Sequence, residues 1–225
     1  MKAIVHEKYG PPDVLRLEKV PKPVPAHDEV LVEFHAAAVN SGDWRSVQGK
    51  PVLIRLQAGI FKPNKRMIGA DMAGCVIEVG ASVTQFQVGD EVFGDLSSCG
   101  YGAFAEFVAV PESAIYFKPK NLSFLEAAAV PETGAVALYS LVEMGHVQPG
   151  QRVLVVGSSG GIGTFVVQIA KVYGAVVTAV CSTRNIDLVR SLGADHVIDY
   201  TQMDFTNTGE QWDLIVVSAG YHTPE

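Results

Sequence analysis

The turn Gly157-Ser158-Ser159-Gly160-Gly161-Ile162-Gly163 follows the apolar run Val153–Val156 and precedes residues whose apolar members recur at helical spacing. A glycine turn between a strand and a helix can cradle a pyrophosphate. Its glycines let the backbone turn tightly and approach the phosphates, and the last lets the helix pack on the strand. The helix start adds unpaired N–H groups and the positive end of the dipole. The expected contacts are Ser158, Ser159, Gly160, Gly161, Ile162 and Gly163. A ribose with a free 2′-hydroxyl usually meets an Asp or Glu about twenty residues past such glycines. Here the chain reads Thr178-Ala179-Val180-Cys181-Ser182-Thr183-Arg184-Asn185, with no acid between Ala175 and Ile186. Hydroxyls and a guanidinium bind a 2′-phosphate that a carboxylate would repel. The expected cofactor is therefore NADPH, with Ser182 and Arg184 on its 2′-phosphate.

The elements that must hold these residues follow a strand–helix alternation from Arg152 onward. Val153–Val156 reads as a buried parallel strand. Ile162, Phe165, Val166, Ile169 and Tyr173 mark a helix ended by Gly174. Val176–Val180, His196–Asp199 and Asp213–Val217 are further strands. A helix opened by Ser182 or Thr183 stops at Gly193. The earlier chain, to about Lys118, is β-rich. Its expected strands are Lys2–His6, Val14–Lys19, Glu29–Val39, Gly74–Val79 and Phe104–Val110, separated by Gly- and Pro-rich turns. Such short strands suggest an irregular barrel. Ser123 and Glu126 form a capping-box pattern opening a helix over Phe124–Val130 before Pro131. A second helix, Gly134–Met144, precedes Gly145. The reading is an α/β protein with a domain at 1–122 and another at 123–225.

Composition narrows the function classes. A net charge of -7 opposes nucleic-acid binding, which needs a basic face. The uncharged run Val153–Ala170 has glycines at its centre, so it reads as strand–turn–helix and not as a membrane span. The first residues, MKAIVHEKYG, break their apolar run at His6 and Glu7 and do not form a signal peptide. Cys75, Cys99 and Cys181 are odd in number and widely spaced, with no disulfide framework or metal knuckle. A reduced, cytoplasmic setting is expected.

Further motifs carry a resemblance. They are Ile68-Gly69-Ala70-Asp71-Met72-Ala73-Gly74, Val79-Gly80, Val88-Gly89-Asp90-Glu91-Val92 and Gly102-Ala103-Phe104-Ala105-Glu106. Gly160-Gly161-Ile162-Gly163 and Leu192-Gly193-Ala194-Asp195-His196-Val197-Ile198-Asp199-Tyr200 complete the set. Over nearly its whole length the chain resembles the medium-chain dehydrogenase/reductases, within them the zinc-free quinone oxidoreductase-like branch. The resemblance implies a GroES-like β-barrel domain followed by a Rossmann domain, with the reaction in the cleft between. It also implies that Tyr200 lies near the adenosine 2′-phosphate. A strand-end packing role for Tyr200 is the alternative.

Zinc-dependent relatives place a Cys, a His-Glu pair and a second Cys around a catalytic metal. The corresponding positions here are Asn40, Ala70-Asp71 and a residue near Glu132, so no metal is expected. Without a Lewis acid, alcohol oxidation is hard and hydride transfer to a conjugated acceptor is easier. The expected partner is a small electrophile, a quinone or an α,β-unsaturated carbonyl compound. Asn40 and Arg45 are the expected donors to the developing oxyanion, and Asp43 is expected to fix their loop. A Thr that relatives often carry near the nicotinamide is replaced by Val136. Two other readings stand beside this one: a non-catalytic nucleotide-binding module and, less favoured, a zinc-type alcohol dehydrogenase. Four strands are expected in the second domain where a doubly wound sheet usually has six, so the Rossmann domain is read as incomplete. A weakly active chain, and a homodimer formed through an open sheet edge, are the expectations that follow.

Overall fold

The computed structural model describes residues 1–219; residues 220–225, including the terminal Tyr221-His222-Thr223-Pro224-Glu225, lie outside the description. The chain divides into two compact units, Met1–Glu132 and Thr133–Glu225. The expectation had set the boundary at 122/123. The helix that follows Asn121 instead packs on the first unit.

In that unit β1 (Lys2–Val5) pairs antiparallel with β2 (Arg16–Lys19). β3 (Glu29–Ala37) is the longest expected strand, and Val30, Leu31 and Val32 are wholly buried. Two helices follow in the segment read as a loop: α1 (Ser41–Gln48) and α2 (Ile54–Ala58). β4 (Asp71–Val79), β5 (Glu91–Asp95), β6 (Phe107–Pro111) and β7 (Ile115–Phe117) complete an antiparallel sheet of order β6-β3-β4-β5-β7. Single bridges from Ala3 to Ala105 and Val5 to Met67 tie β1 to the rest. The enclosed core includes Val30, Val32, Met72, Val76, Val92, Leu96 and Val110. α3 (Phe124–Ala128) opens at Ser123, whose hydroxyl accepts from the Glu126 N–H at 3.3 Å. Its Ala127 and Ala128 pack on Ala73, Ala36 and Phe93, and His35 stacks on Phe124 at 4.4 Å.

Pro131 was expected to lie between two helices. It is instead the first residue of α4 (Pro131–Leu138), where its missing N–H costs nothing. The helix widens into a π turn over Tyr139–Met144. In the second unit β8 (Arg152–Val156), α5 (Gly161–Val172), β9 (Val176–Cys181), α6 (Ile186–Ser191), β10 (His196–Asp199) and β11 (Leu214–Val217) follow in turn. The four strands are parallel, in the order β10-β9-β8-β11. That is third, second, first, fourth, the first four strands of a doubly wound dinucleotide-binding sheet. β8 is apolar throughout its interior and β9 is apolar except for the buried Thr178, because both faces are covered. α5 buries Gly163, Val166, Val167 and Ala170 against them. Among the described residues no helix is long and apolar enough to cross a membrane.

Candidate functional site

Each unit carries its own candidate constellation. In the second, β8 delivers the chain into the turn and α5 leads it away. Gly157 takes φ +79°, and a Cβ there would meet Ala219. At Gly163 a Cβ would stand 2.2 Å from the Gly157 carbonyl oxygen, so only glycine lets α5 pack this close to the turn. Gly160 and Gly161 are exposed at the helix start. The first-turn N–H groups of an α-helix have no intrahelical partner, and here they open onto accessible backbone that an anion can approach.

The serines divide in role. Ser158 is wholly buried and its hydroxyl donates to the Val180 carbonyl at 2.9 Å. That bond fastens the turn to β9 and removes Ser158 as a side-chain phosphate contact. Ser159 is half-buried, and its Oγ accepts from Asn185 Nδ2 at 2.9 Å. The same amide reaches Ser182 Oγ at 3.3 Å. Asn185 thus cross-links the glycine turn to the residues after β9, and it leaves both hydroxyl protons of Ser159 and Ser182 free to donate. Arg184 is exposed at this corner, and Tyr200, 57% exposed, is anchored there by its N–H to the Cys181 carbonyl at 3.1 Å. Ile162 is half-buried and packs on the core; its expected contribution is restricted to its backbone N–H.

Two residues of this corner escaped the linear reading. Asn185 was passed over as the end of an acid-free stretch. Asp199, fourteen residues beyond it, brings a carboxylate back to the corner from the end of β10. It accepts from Thr183 Oγ1 at 2.5 Å and from Thr201 Oγ1 at 2.7 Å. The Thr183 hydroxyl, followed by those Thr201 bonds, holds its carboxyl below the usual range. The parallel register of β9 and β10, which sets Asp199 opposite Cys181, is the signal that could have found it.

In the first unit α1 starts at Asn40. The Asn40 N–H donates to Asp43 Oδ2 at 2.7 Å, and the Asp43 N–H returns to the Asn40 carbonyl at 3.1 Å. Asp43 is 4% exposed and also takes backbone N–H groups of Gly69 and Ala70. It therefore pins the start of α1 to the residues before β4. Asn40 Nδ2 donates to Asp71 Oδ2 at 2.9 Å, and the Glu132 N–H donates to Asp71 Oδ1 at 3.0 Å. Burial pushes the Asp71 carboxyl up to about 7, with Asp95 and Glu132 adding repulsion. Burial raises Asp43 and Glu132 as well.

Arg45 does not join this group. It lies on the exposed face of α1, 5.9 Å over the Trp44 ring, while Asp43 and Val47 occupy the buried face. Val136 is exposed on α4 and offers no hydroxyl. The positions aligned with a catalytic metal do not fit one. Ala70 has no donor atom, the Asn40 amide is engaged by Asp71, and among the described residues no three His, Cys, Asp or Glu side chains are placed to hold an ion.

The alcohol dehydrogenase GroES-like domain model matches residues 26–120, and the zinc-binding dehydrogenase model matches residues 161–223. The second match lies wholly outside Asn40, Ala70 and Glu132. A 2-methylene-furan-3-one reductase of Solanum lycopersicum is 40% identical over 98% of this chain and 57% of its own length. A chloroplastic NADPH-dependent alkenal/one oxidoreductase of Arabidopsis thaliana is 38% identical over 98% of this chain and 58% of its own. The chain thus spans less than two thirds of either relative. The solved quinone oxidoreductase from Coxiella burnetii superposes with a TM-score of 0.87 at 33% identity, covering 96% of this chain and 68% of that one.

Proposed function

This chain belongs to the quinone oxidoreductase-like branch of the medium-chain dehydrogenase/reductase superfamily, and on that premise we propose that it serves the zinc-free, NADPH-dependent reduction of a quinone or an α,β-unsaturated carbonyl compound. The observation that carries the reading is the corner of the second unit, where an open helix start, two hydroxyl donors and Arg184 lie together. NADPH, when bound, supplies a hydride. The α5 N-terminus and the Ser159 hydroxyl would hold its pyrophosphate. Ser182, Arg184 and Tyr200 would hold its 2′-phosphate, with the guanidinium countering both the phosphate and Asp199.

The first unit supplies what an acceptor needs. Hydride addition to a conjugated carbon sends an electron pair to the carbonyl oxygen, which then needs a hydrogen-bond donor. The Asn40 amide has two N–H groups and gives one to Asp71. The Asn40 side chain also hydrogen-bonds the Glu132 carboxyl, which a substrate oxygen would replace as the acceptor of the second N–H. The side chains at the metal-equivalent positions support a reaction without a Lewis acid, which favours conjugate reduction over alcohol oxidation. The test is a fluorescence titration of NADPH against NADH, followed by NADPH consumption with a panel of quinones and enones. Preferential NADPH binding with consumption supports the reading. Binding without consumption favours a nucleotide-binding module instead.

A further inference from the structure

The chain is acidic overall, yet residues 44–70 hold six of its 17 Lys and Arg and none of its 24 Asp and Glu. This segment contains α2 and the turn that follows it. A basic, acid-free stretch on an acidic protein is a local field of opposite sign, able to attract anionic partners at short range.

Apolar side chains of the same segment stand in water. Val52, Leu53, Leu56, Ile60 and Phe61 are each more than half exposed, and Phe61 is 94% exposed. The N–H groups of Ile54, Arg55 and Leu56 donate to the carbonyls of Pro51, Val52 and Leu53, so the backbone is already wound before α2 begins. On that path Leu53 and Leu56 are three residues apart and Val52 and Leu56 four, which sets them on one face. The other face is apolar too, since Ile54 and Ala58 line a cavity of the first unit. A helix apolar on both sides is normally covered on both. Clustered exposed apolar side chains rimmed by polar ones mark an interaction surface.

Two of the cations serve the fold. Arg55 Nε donates to the Gly49 carbonyl at 3.0 Å, and Arg66 pairs with Glu7 and Glu18. Lys50, Lys62 and Lys65 are exposed and, among the described residues, form no ion pair. Lys50 and Lys62 bracket the apolar residues in sequence.

The charge and the length of α2 select the partner. A second copy seated on this face would set the lysines against their own counterparts, and like charges across an interface are unfavourable. A groove in another protein takes an amphipathic helix through anchors spread over two turns, whereas α2 has five residues. A bilayer surface requires neither self-complementarity nor length. Apolar side chains sink below its headgroups while flanking lysines reach the lipid phosphates.

We propose that the α2 segment docks the chain on the surface of an anionic membrane. Leu53, Leu56 and Phe61 enter the acyl boundary, and Lys50, Lys62 and Lys65 pair with acidic headgroups. A helical span takes about 20 residues, so the attachment is peripheral. This assignment goes beyond the reductase reading and does not depend on it.

The test is co-sedimentation of the full chain with two kinds of vesicle, phosphatidylcholine alone and equal parts phosphatidylcholine and phosphatidylserine. Binding to the anionic vesicles alone, weakened by salt, is expected. A lysine near an anionic surface contributes roughly five-fold to binding, so Lys50→Ala with Lys62→Ala should weaken it by about ten-fold or more. Leu53→Ser with Phe61→Ser should abolish it. Val24→Ser changes a side chain that is 82% exposed outside the segment and should leave it unaltered. Absence of sedimentation, equal binding to both vesicles, or unchanged binding in either double variant overturns the assignment. Sedimentation velocity without vesicles gives the competing outcome: self-association that disappears in Leu53→Ser with Phe61→Ser puts a second copy on this face and overturns it as well.

Discussion

Asn40 and Asp71 are joined by a hydrogen bond of 2.9 Å from the amide Nδ2 to a wholly buried carboxylate oxygen. The bond links the start of α1 to the start of β4. The Glu132 N–H, at the start of α4, completes the arrangement. The Glu132 carboxyl also takes a hydrogen bond from the Asn40 side chain, so the amide is held between two acids.

The same burial makes stability depend on pH. Asp71 titrates near 3.8 when unfolded and at about 7 when folded. Between those values the folded state binds the proton that the unfolded state has released, so stability falls as pH rises. The loss approaches about 4 kcal/mol as an upper bound. Asp43 and Glu132 are shifted in the same direction. Urea unfolding at pH 5 and pH 8 should show lower stability at pH 8, and Asp71→Asn should flatten the difference. An unchanged slope in Asp71→Asn would contradict this account.

Asp43 and Arg45 should behave oppositely although they are neighbours on α1. Asp43→Ala removes a buried cap, which typically costs about 0.5–2 kcal/mol, and frees Asn40 to move. Denaturant midpoints should fall and turnover should fall with them. Arg45→Ala changes an exposed residue and should leave stability within about 0.5 kcal/mol. Turnover equally reduced in both variants would return Arg45 to the reacting group.

Arg184 and Asp199 set opposing charges at one corner. Arg184→Ala should weaken NADPH by about ten-fold or more, the scale of one charge-assisted hydrogen bond, and leave NADH nearly unchanged. Asp199→Asn removes a like charge and should tighten NADPH. Both effects should shrink at high salt. Equal losses for NADPH and NADH in Arg184→Ala would place the guanidinium elsewhere on the cofactor.

Gly163→Ala tests the close approach beneath the turn. Alanine is the better helix former by about 1 kcal/mol. Its Cβ would nevertheless lie 2.2 Å from the Gly157 oxygen, and backbone must shift to relieve the overlap. Overpacking of this kind costs about 1–3 kcal/mol. A lowered melting temperature and weakened NADPH binding are expected. A more stable variant with intact binding would show that the turn accommodates the methyl.

The second unit was legible in the sequence because its central strands β8 and β9 are mostly apolar runs set off by glycine. The corner was legible only in part, since Asp199 reaches it through strand register and not through sequence proximity. α1 was hidden. Ser41, Gly42 and Asp43 are poor helix formers, and the helix depends on the Asn40–Asp43 cap and on burial of Asp43 and Val47. The pairing of Asn40 with an acid three residues later was the available signal. Read as a loop, the segment had no faces, and Arg45 looked as well placed as Asp43. β5 and β7 are short and half-exposed, too brief to show a period.

The most direct measurement follows a label. The chain is incubated with NADPH deuterated at the transferable position of its nicotinamide and with a simple α,β-unsaturated ketone, and the product is identified by mass spectrometry and NMR. The account predicts a saturated ketone with deuterium on the β-carbon. An allylic alcohol with deuterium on the carbinol carbon would contradict it.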